Sequence, residues 1–221
     1  MPVLPNFSNA GKFFYERMIN MWPTVLRKDD LGRERVYDLA SCMLANRIIL
    51  LTEPINDETA AAITSQLLYL EAENSNEPIT IYINSPGGNI SSGFAIYDVM
   101  NKIKCPVHTM VMGIAASMAA FILCSGSRGN RYALPNASIM IHQPKGAVEG
   151  QATEVEIYAK RLVDLRQELY KIMAKNTGMS YEEMAYACER DNYLTPTKAL
   201  EMGFIDKIIS FHPKAQLKEA A

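Results

Sequence analysis

Neither sign of charge predominates in this chain: 22 Lys and Arg against 24 Asp and Glu leave a formal net charge of −2 over 221 residues. So balanced a composition builds no strong field, which argues against a nucleic-acid coat or a polybasic membrane binder. Cysteine is sparse too. Cys42, Cys105, Cys124 and Cys188 stand far apart, form no C-x-x-C pair and have no histidine cluster beside them. A zinc fold and a disulfide scaffold are therefore poorly supported, and neither a metal nor a cofactor is expected. No long hydrophobic run is present. The longest, residues 113–124, is interrupted by Ser117 and falls well short of the roughly 20 residues that span a bilayer, so it reads as a buried helix. The first 22 residues lack a basic start followed by a sustained apolar run, so they do not read as a secretory signal. Unpaired thiols without an export signal favour the cytoplasm.

What is present is an alternation of strand and helix signals. Residues 1–22 carry Pro2, Pro5, Asn6, Ser8 and Gly11 without clean periodicity and are read as an appendage. Residues 23–38, charge-rich around Gly32, suit an exposed loop or hairpin, and the compact body follows. Residues 47–52 form a short β-branched run, after which Asn56 or Asp57 can cap a helix bearing Ala60, Ile63, Leu67 and Leu70. Residues 79–83 form a second strand, halted by Asn84-Ser85-Pro86-Gly87-Gly88, and Ile96, Val99, Met100 and Ile103 then recur at helical spacing. A third strand, residues 107–112, runs through Gly113 into the apolar helix. That rhythm implies right-handed crossovers and a largely parallel sheet in an α/β fold.

The later half departs from it. Residues 138–142 read as a strand closed by Pro144, and residues 152–177 as one long helix, about 39 Å at 1.5 Å per residue. Thr153 and Glu156 match a capping box at its start, and Gly178 can end it. Its stripe of Val155, Tyr158, Leu162, Leu165, Leu169 and Ile172 reaches beyond what one small sheet needs. A second copy of the same helix is the simplest surface to meet it, so a homo-oligomer is expected, although the stripe alone suits a helix lying wholly on its own sheet about as well. Ser180 with Glu183 opens another capped helix, Thr195-Pro196 begins a last one, and residues 204–210 return as a strand.

Several catalytic signatures are missing. There is no G-x-x-x-x-G-K-[ST] and no G-x-G-x-x-G after a strand, so neither nucleotide hydrolysis at a P-loop nor a Rossmann cofactor site is supported. H-E-x-x-H and the G-x-S-x-G elbow are absent as well. Of the three histidines, His108 lies inside a strand and His212 near the C-terminus, whereas His142 ends a strand, where parallel α/β proteins place ligand groups. Ser117 lies among small residues at a strand-to-helix turn, where free N–H groups, Met118's among them, can face a developing oxyanion. For an arbitrary serine in such a run, a small residue that lets helices pack closely is by far the commoner reason. The loop of residues 84–89 can bring a backbone amide close to a ligand, or it can be an ordinary tight turn. Asp191 can orient His142, or be a solvated acid in a charged loop.

Taken together, four blocks of sequence resemble the ClpP family, the proteolytic subunit of the ATP-dependent Clp protease. They are INSPGGNISSGFAIYD at 83–98, GIAASMAAFILCSG at 113–126, RYALPNASIMIHQPKG at 131–146 and ERDNYLTPTKALEMGFID at 189–206. The similarity runs from about Pro23 to the C-terminal strand. It implies a serine endopeptidase with Ser117 as nucleophile, His142 as general base and Asp191 as orienting acid, and with the amides of Gly88 and Met118 binding the oxyanion.

The fold implied is the ClpP/crotonase α/β type of repeated β-α units. Residues 39–221 would form the peptidase domain, with the long helix as a protruding handle joining two stacked heptameric rings around a chamber, and residues 23–38 as an axial loop. The first 22 residues would be a propeptide of the kind family members remove by self-processing. The resemblance also assigns residues 146–151 to a strand and turn at the ring interface. It implies a Clp-type hexameric AAA+ ATPase docked on Tyr82, Met110, Met112, Tyr132 and Leu134, feeding unfolded polypeptide for protein quality control, with no nucleic acid and no membrane involved. A crotonase-like acyl-CoA enzyme shares the fold, but its chemistry does not require a Ser/His/Asp set at these spacings. Ile114, Ala119, Ala40 and Lys102 depart from the family pattern, where Gln, Gly, Tyr and an aromatic are common. Those departures motivate an alternative, a low-activity or regulatory ring subunit that works beside a paralogous one.

Overall fold

The structure, a computed structural model, describes residues 23–28 and 32–210. The expected appendage of residues 1–22 lies outside the described residues, as does His212. The chain divides into two compact units, between Ile48 and Ile49. In the first, β1 (Thr24–Lys28) and β2 (Glu34–Asp38) pair antiparallel, from Thr24 opposite Asp38 to Lys28 opposite Glu34. Asp38 then caps α1 (Leu39–Ala45), accepting from the Ser41 hydroxyl at 2.6 Å and the Ser41 N–H at 2.8 Å. These bonds hold its carboxyl below the usual carboxylate range.

The second unit carries β3 (Ile48–Leu51) from its second residue on, then α2 (Asp57–Glu73), β4 (Ile79–Ser85), α3 (Ile90–Lys102), β5 (Val107–Ala116), α4 (Met118–Cys124), β6 (Arg131–Ala133) and β7 (Ser138–Ile141). It continues with α5 (Ala152–Thr177), α6 (Tyr181–Ala187), β8 (Asn192–Leu194), α7 (Pro196–Glu201) and β9 (Lys207–Ile208). Seven strands make one sheet in the order β3-β4-β5-β6-β9, with β7 beside the later part of β5 and β8 beside β7. β4 with β5, β5 with β6 and with β7, and β6 with β9 are parallel; only β7 with β8 is antiparallel among the registers resolved. The mixed α/β fold with a mostly parallel sheet is the one the sequence implies.

Alternation along the central strands decides which face is core. Ile79, Ile81 and Ile83 of β4 and Val107, Thr109 and Val111 of β5 are buried, as period-two chains with one covered face require. Thr109 is polar, and its hydroxyl donates to the Leu123 carbonyl at 2.7 Å. All seven residues of α4 are buried, as are the expected Ala60, Ile63, Leu67 and Leu70 of α2. The α2 start is a reciprocal box in which Asn56 accepts from the Thr59 N–H and the Thr59 hydroxyl accepts from the Asn56 N–H, both at 2.9 Å.

The structure departs from the sequence reading in several places. β5 does not stop at residue 112: Gly113, at φ +85, lets the strand bend and continue to Ala116 while the Asn84 side chain accepts from the Ile114 N–H at 3.1 Å. The box that opens α5 differs from the expected one: Gln151, not Thr153, is the cap, with Glu154 at the third position closing the box, while the helix itself keeps the expected bounds Ala152–Thr177. The closing strand spans only Lys207–Ile208 rather than residues 204–210. β6, β8 and α1 are three to seven residues long, too short for any periodicity to show. Residues 146–151 form neither strand nor regular turn, unlike the strand and turn that the resemblance implies.

The long helix also divides its duties differently. Leu169, Tyr170, Met173 and Ala174 are buried, whereas residues 152–161 are all exposed. Among the described residues no helix is long and apolar enough to cross a membrane.

Candidate active site

Ser117 stands between β5 and α4, at φ +55 and ψ −121. That is a backbone conformation an L-residue adopts only at a cost of about 1–3 kcal/mol, so the neighbouring structure must impose it. It does so from both sides. The parallel register carries Ile114, Ala115 and Ala116 past Ser138, Ile139 and Met140, and the Ser117 N–H then donates to the Met140 carbonyl at 2.8 Å. On the helix side, the Ser117 carbonyl accepts from the Phe121 N–H at 3.1 Å. A serine preceding a helix ordinarily caps it with its hydroxyl. Here the hydroxyl makes no cap and stands 2.9 Å from His142 Nε2.

His142 follows β7 directly, and its Nδ1 stands 2.9 Å from Asp191 Oδ1. The antiparallel register explains the meeting. Ile139 faces Leu194, Met140 faces Tyr193 and Ile141 faces Asn192, so the next pair along the ladder is His142 with Asp191. The Gln143 side chain fastens the two segments further by donating to the Glu189 carbonyl at 2.9 Å. A carboxylate only accepts, so Nδ1 bears the imidazole proton and Nε2 is left to accept from the serine hydroxyl.

Asp191 is 47% exposed, far more than the 13% of His142. The hydrogen bond from His142, followed by that from Lys145, holds its carboxyl below the usual range. Lys145 Nζ approaches Oδ1 at 3.1 Å. Nothing in the sequence singled out this lysine, although a cation three residues after a strand-end histidine is a readable signal once the Asp191 loop is known to return beside it.

The two amides expected to act as donors belong to Met118 and Gly88. Met118 is the first residue of α4, so its N–H has no intrahelical acceptor. Gly88 sits in a bridge to Ile55 that engages its neighbours instead: the Gly87 carbonyl accepts from the Ile55 N–H, and the Asn89 N–H donates to the Ile55 carbonyl, both at 2.8 Å. The Gly88 N–H takes no part in that bridge. Glycine is required at both positions by space. A Cβ on Gly88 would lie 2.1 Å from the Ile55 carbonyl oxygen, and one on Gly87 would lie 2.4 Å from the Ala116 oxygen and 2.8 Å from Ser117 Cβ. The glycine loop therefore rests directly against the serine turn.

Other nucleophiles compete poorly. Burial pushes the Cys124 and Cys188 thiols up to about 12, which keeps them protonated at neutral pH. His108 packs its ring edge-on to Tyr132, with centroids 6.3 Å apart, and burial lowers its pKa.

The five residues expected at a docking surface share one face of the sheet. Tyr82 is in register with Met110, and Met110 with Tyr132, while Met112 lies two residues beyond Met110, and Leu134 two beyond Tyr132. All five are half-buried. Lys102, the last residue of α3, is exposed.

One comparison with known proteins bears on this arrangement: the family model described as Clp protease matches residues 31–212, more than four-fifths of the chain.

Proposed function

Because the chain belongs to the Clp protease family, a peptidase family, we propose that it is a serine endopeptidase whose nucleophile is Ser117, with His142 as general base and Asp191 as the acid that orients it. The single observation that supports this reading is the unbroken chain of contacts from Ser117 Oγ to His142 Nε2 and from His142 Nδ1 to Asp191 Oδ1, 2.9 Å at each link. Geometry of this kind lets the hydroxyl transfer its proton as it attacks.

The steps follow from the groups. Ser117 Oγ bonds to the peptide carbonyl carbon while its proton passes to His142 Nε2. The carbonyl oxygen becomes an oxyanion, which accepts hydrogen bonds from the N–H groups of Gly88 and Met118. Collapse breaks the C–N bond, and the leaving amine takes the proton from His142. Water then attacks the ester with His142 again as base, releasing the carboxylic acid and restoring the serine. Asp191 stays ionised throughout and stabilises the imidazolium.

The assembly belongs to the same proposal. Ile157, 65% exposed, and Val155 and Val163 remain uncovered on the outer part of α5, apolar area that suits a second copy in two stacked heptameric rings. The half-buried row of Tyr82, Met110, Met112, Tyr132 and Leu134 suits an apolar docking segment of a Clp-type hexameric ATPase that delivers unfolded polypeptide. Four buried cysteines, none of them in a disulfide among the described residues, are in keeping with work in the cytoplasm.

Fluorophosphonate treatment of the assembled protein tests the chemistry. One label per chain is expected on Ser117, located by peptide mass spectrometry; an assembled protein that takes no label refutes the reading.

A further inference from the structure

Two concavities flank the serine, and their sizes decide which one can receive a substrate side chain. The first touches Ser117, His142, Phe121 and Met173 and encloses only about 30 Å3, the scale of a water molecule. The second, of about 310 Å3, opens beside the glycine loop, at the lower end of the range of small-ligand sites. The two share Ile90, and Gly88 itself lines the larger one, so a polypeptide seated on the Gly88 amide passes its mouth.

The lining of that larger cleft is specific in kind. Ile90, Tyr158, Leu162 and Leu165 give it apolar walls, and its charged residues are Lys145 and Arg161, both cations. Three of the four apolar residues, Tyr158, Leu162 and Leu165, are members of the α5 stripe. Lys145 is already engaged by Asp191. Arg161 is exposed and forms no ion pair among the described residues, so its five-donor fork is available to a ligand. Apolar walls receive an aliphatic stem, a guanidinium receives a carboxylate in bidentate fashion, and a cationic side chain is repelled.

We propose that this cleft is a specificity subsite for an acidic side chain, glutamate or aspartate, of the polypeptide substrate, with Arg161 binding the carboxylate and Lys145 adding positive charge at the rim. The subsite rests on the peptidase reading above, since it takes a residue flanking the bond that Ser117 attacks. Lys145 is excluded as the test position because it also touches Asp191. Arg161 touches none of the reacting groups.

The experiment is digestion of a proteome-derived peptide library by the purified assembled protein, with cut sites mapped by mass spectrometry. Glu and Asp are expected to be enriched roughly tenfold at one position flanking the cut, the lower end of what hydrogen bonds to charged groups contribute, with Lys and Arg depleted there. Arg161→Glu is expected to reverse that preference and Arg161→Gln to abolish it, while both variants take the fluorophosphonate label on Ser117 as the unmodified protein does. Cleavage without acidic enrichment, or an enrichment that Arg161→Glu leaves intact, overturns the subsite alone. A wild-type protein whose Ser117 takes no label overturns the peptidase reading and the subsite with it.

Discussion

Gly87 and Gly129 offer a matched pair of perturbations. They hold almost the same backbone angle, φ +88 and φ +87, but a Cβ on Gly129 would meet nothing within 4 Å, whereas one on Gly87 would lie 2.4 Å from the Ala116 oxygen, 2.8 Å from Ser117 Cβ and 2.9 Å from the Met118 nitrogen. Alanine at either position suffers the left-handed penalty of about 1–2 kcal/mol. Only at Gly87 does overpacking add to it, by about 1–3 kcal/mol. Gly129→Ala should therefore lower thermal stability by a few degrees and leave peptide hydrolysis unchanged.

Gly87→Ala should do more, because the colliding atoms belong to the serine turn itself. Even the tightest Cβ contacts in proteins stay at about 3.0 Å, so relieving the 2.4 Å overlap requires a shift of about 0.6 Å between the glycine loop and the turn. Misplacement of reacting groups by about 1 Å costs on the order of 10²-fold, which scales here to a loss of roughly ten- to a hundredfold in kcat. Hydrolysis of a short fluorogenic peptide, followed beside thermal unfolding of both variants, separates the two effects. If Gly87→Ala and Gly129→Ala hydrolyse the peptide equally well, the glycine loop does not hold the serine turn and the argument for close approach fails.

Asp191→Asn should reduce kcat on the same peptide, because an amide can donate to Nδ1 and turn the imidazole to the wrong tautomer. With Asp191 47% exposed, the loss should be on the order of 10²–10³ rather than the roughly 10⁴ found where the acid is buried. Asp206 makes a two-point contact with Arg131, at 2.8 Å to Nε and 2.6 Å to Nη2, and Arg131 is only 4% exposed; Asp206→Asn should cost about 3 kcal/mol or more in urea unfolding at neutral pH. Burial raises the Asp206 pKa, but the Arg131 hydrogen bonds and charge outweigh it and leave it lowered. The stabilisation is therefore complete above the ordinary carboxylate value and lost as pH falls through the folded one, so the gap between wild type and Asp206→Asn should narrow below about pH 4. Ile157→Asp should weaken assembly, read by native mass spectrometry as smaller particles, and an unchanged particle would remove α5 from the interface.

What could be read from the residues in advance, and what could not, divides along physical lines. The α2 face and the core strands β4 and β5 were legible because burial imprints a period of 3.6 or 2 on enough residues to be counted. Ser117 itself was ambiguous, since the features that set it apart are a positive φ and a hydroxyl withheld from its own helix, and both are properties of the fold around it. Asp191 was ambiguous for a different reason. Its position depends on β8, a three-residue strand inside a polar segment that carries no alternation, and on a register that only the β7 partner defines. The start of α5 shows a third limit: Gln151 with Glu154 and Thr153 with Glu156 both satisfy the capping spacing, and only the path of the preceding loop selects the first. Lys145 was missed because its partner arrives from 46 residues away. These failures collect at the serine, the acid and the cleft beside them, where local preference is overruled by neighbours distant in sequence. Ile157 lines neither the serine site nor the cleft beside it, so a variant such as Ile157→Asp should separate ring formation from the Ser117–His142 contact.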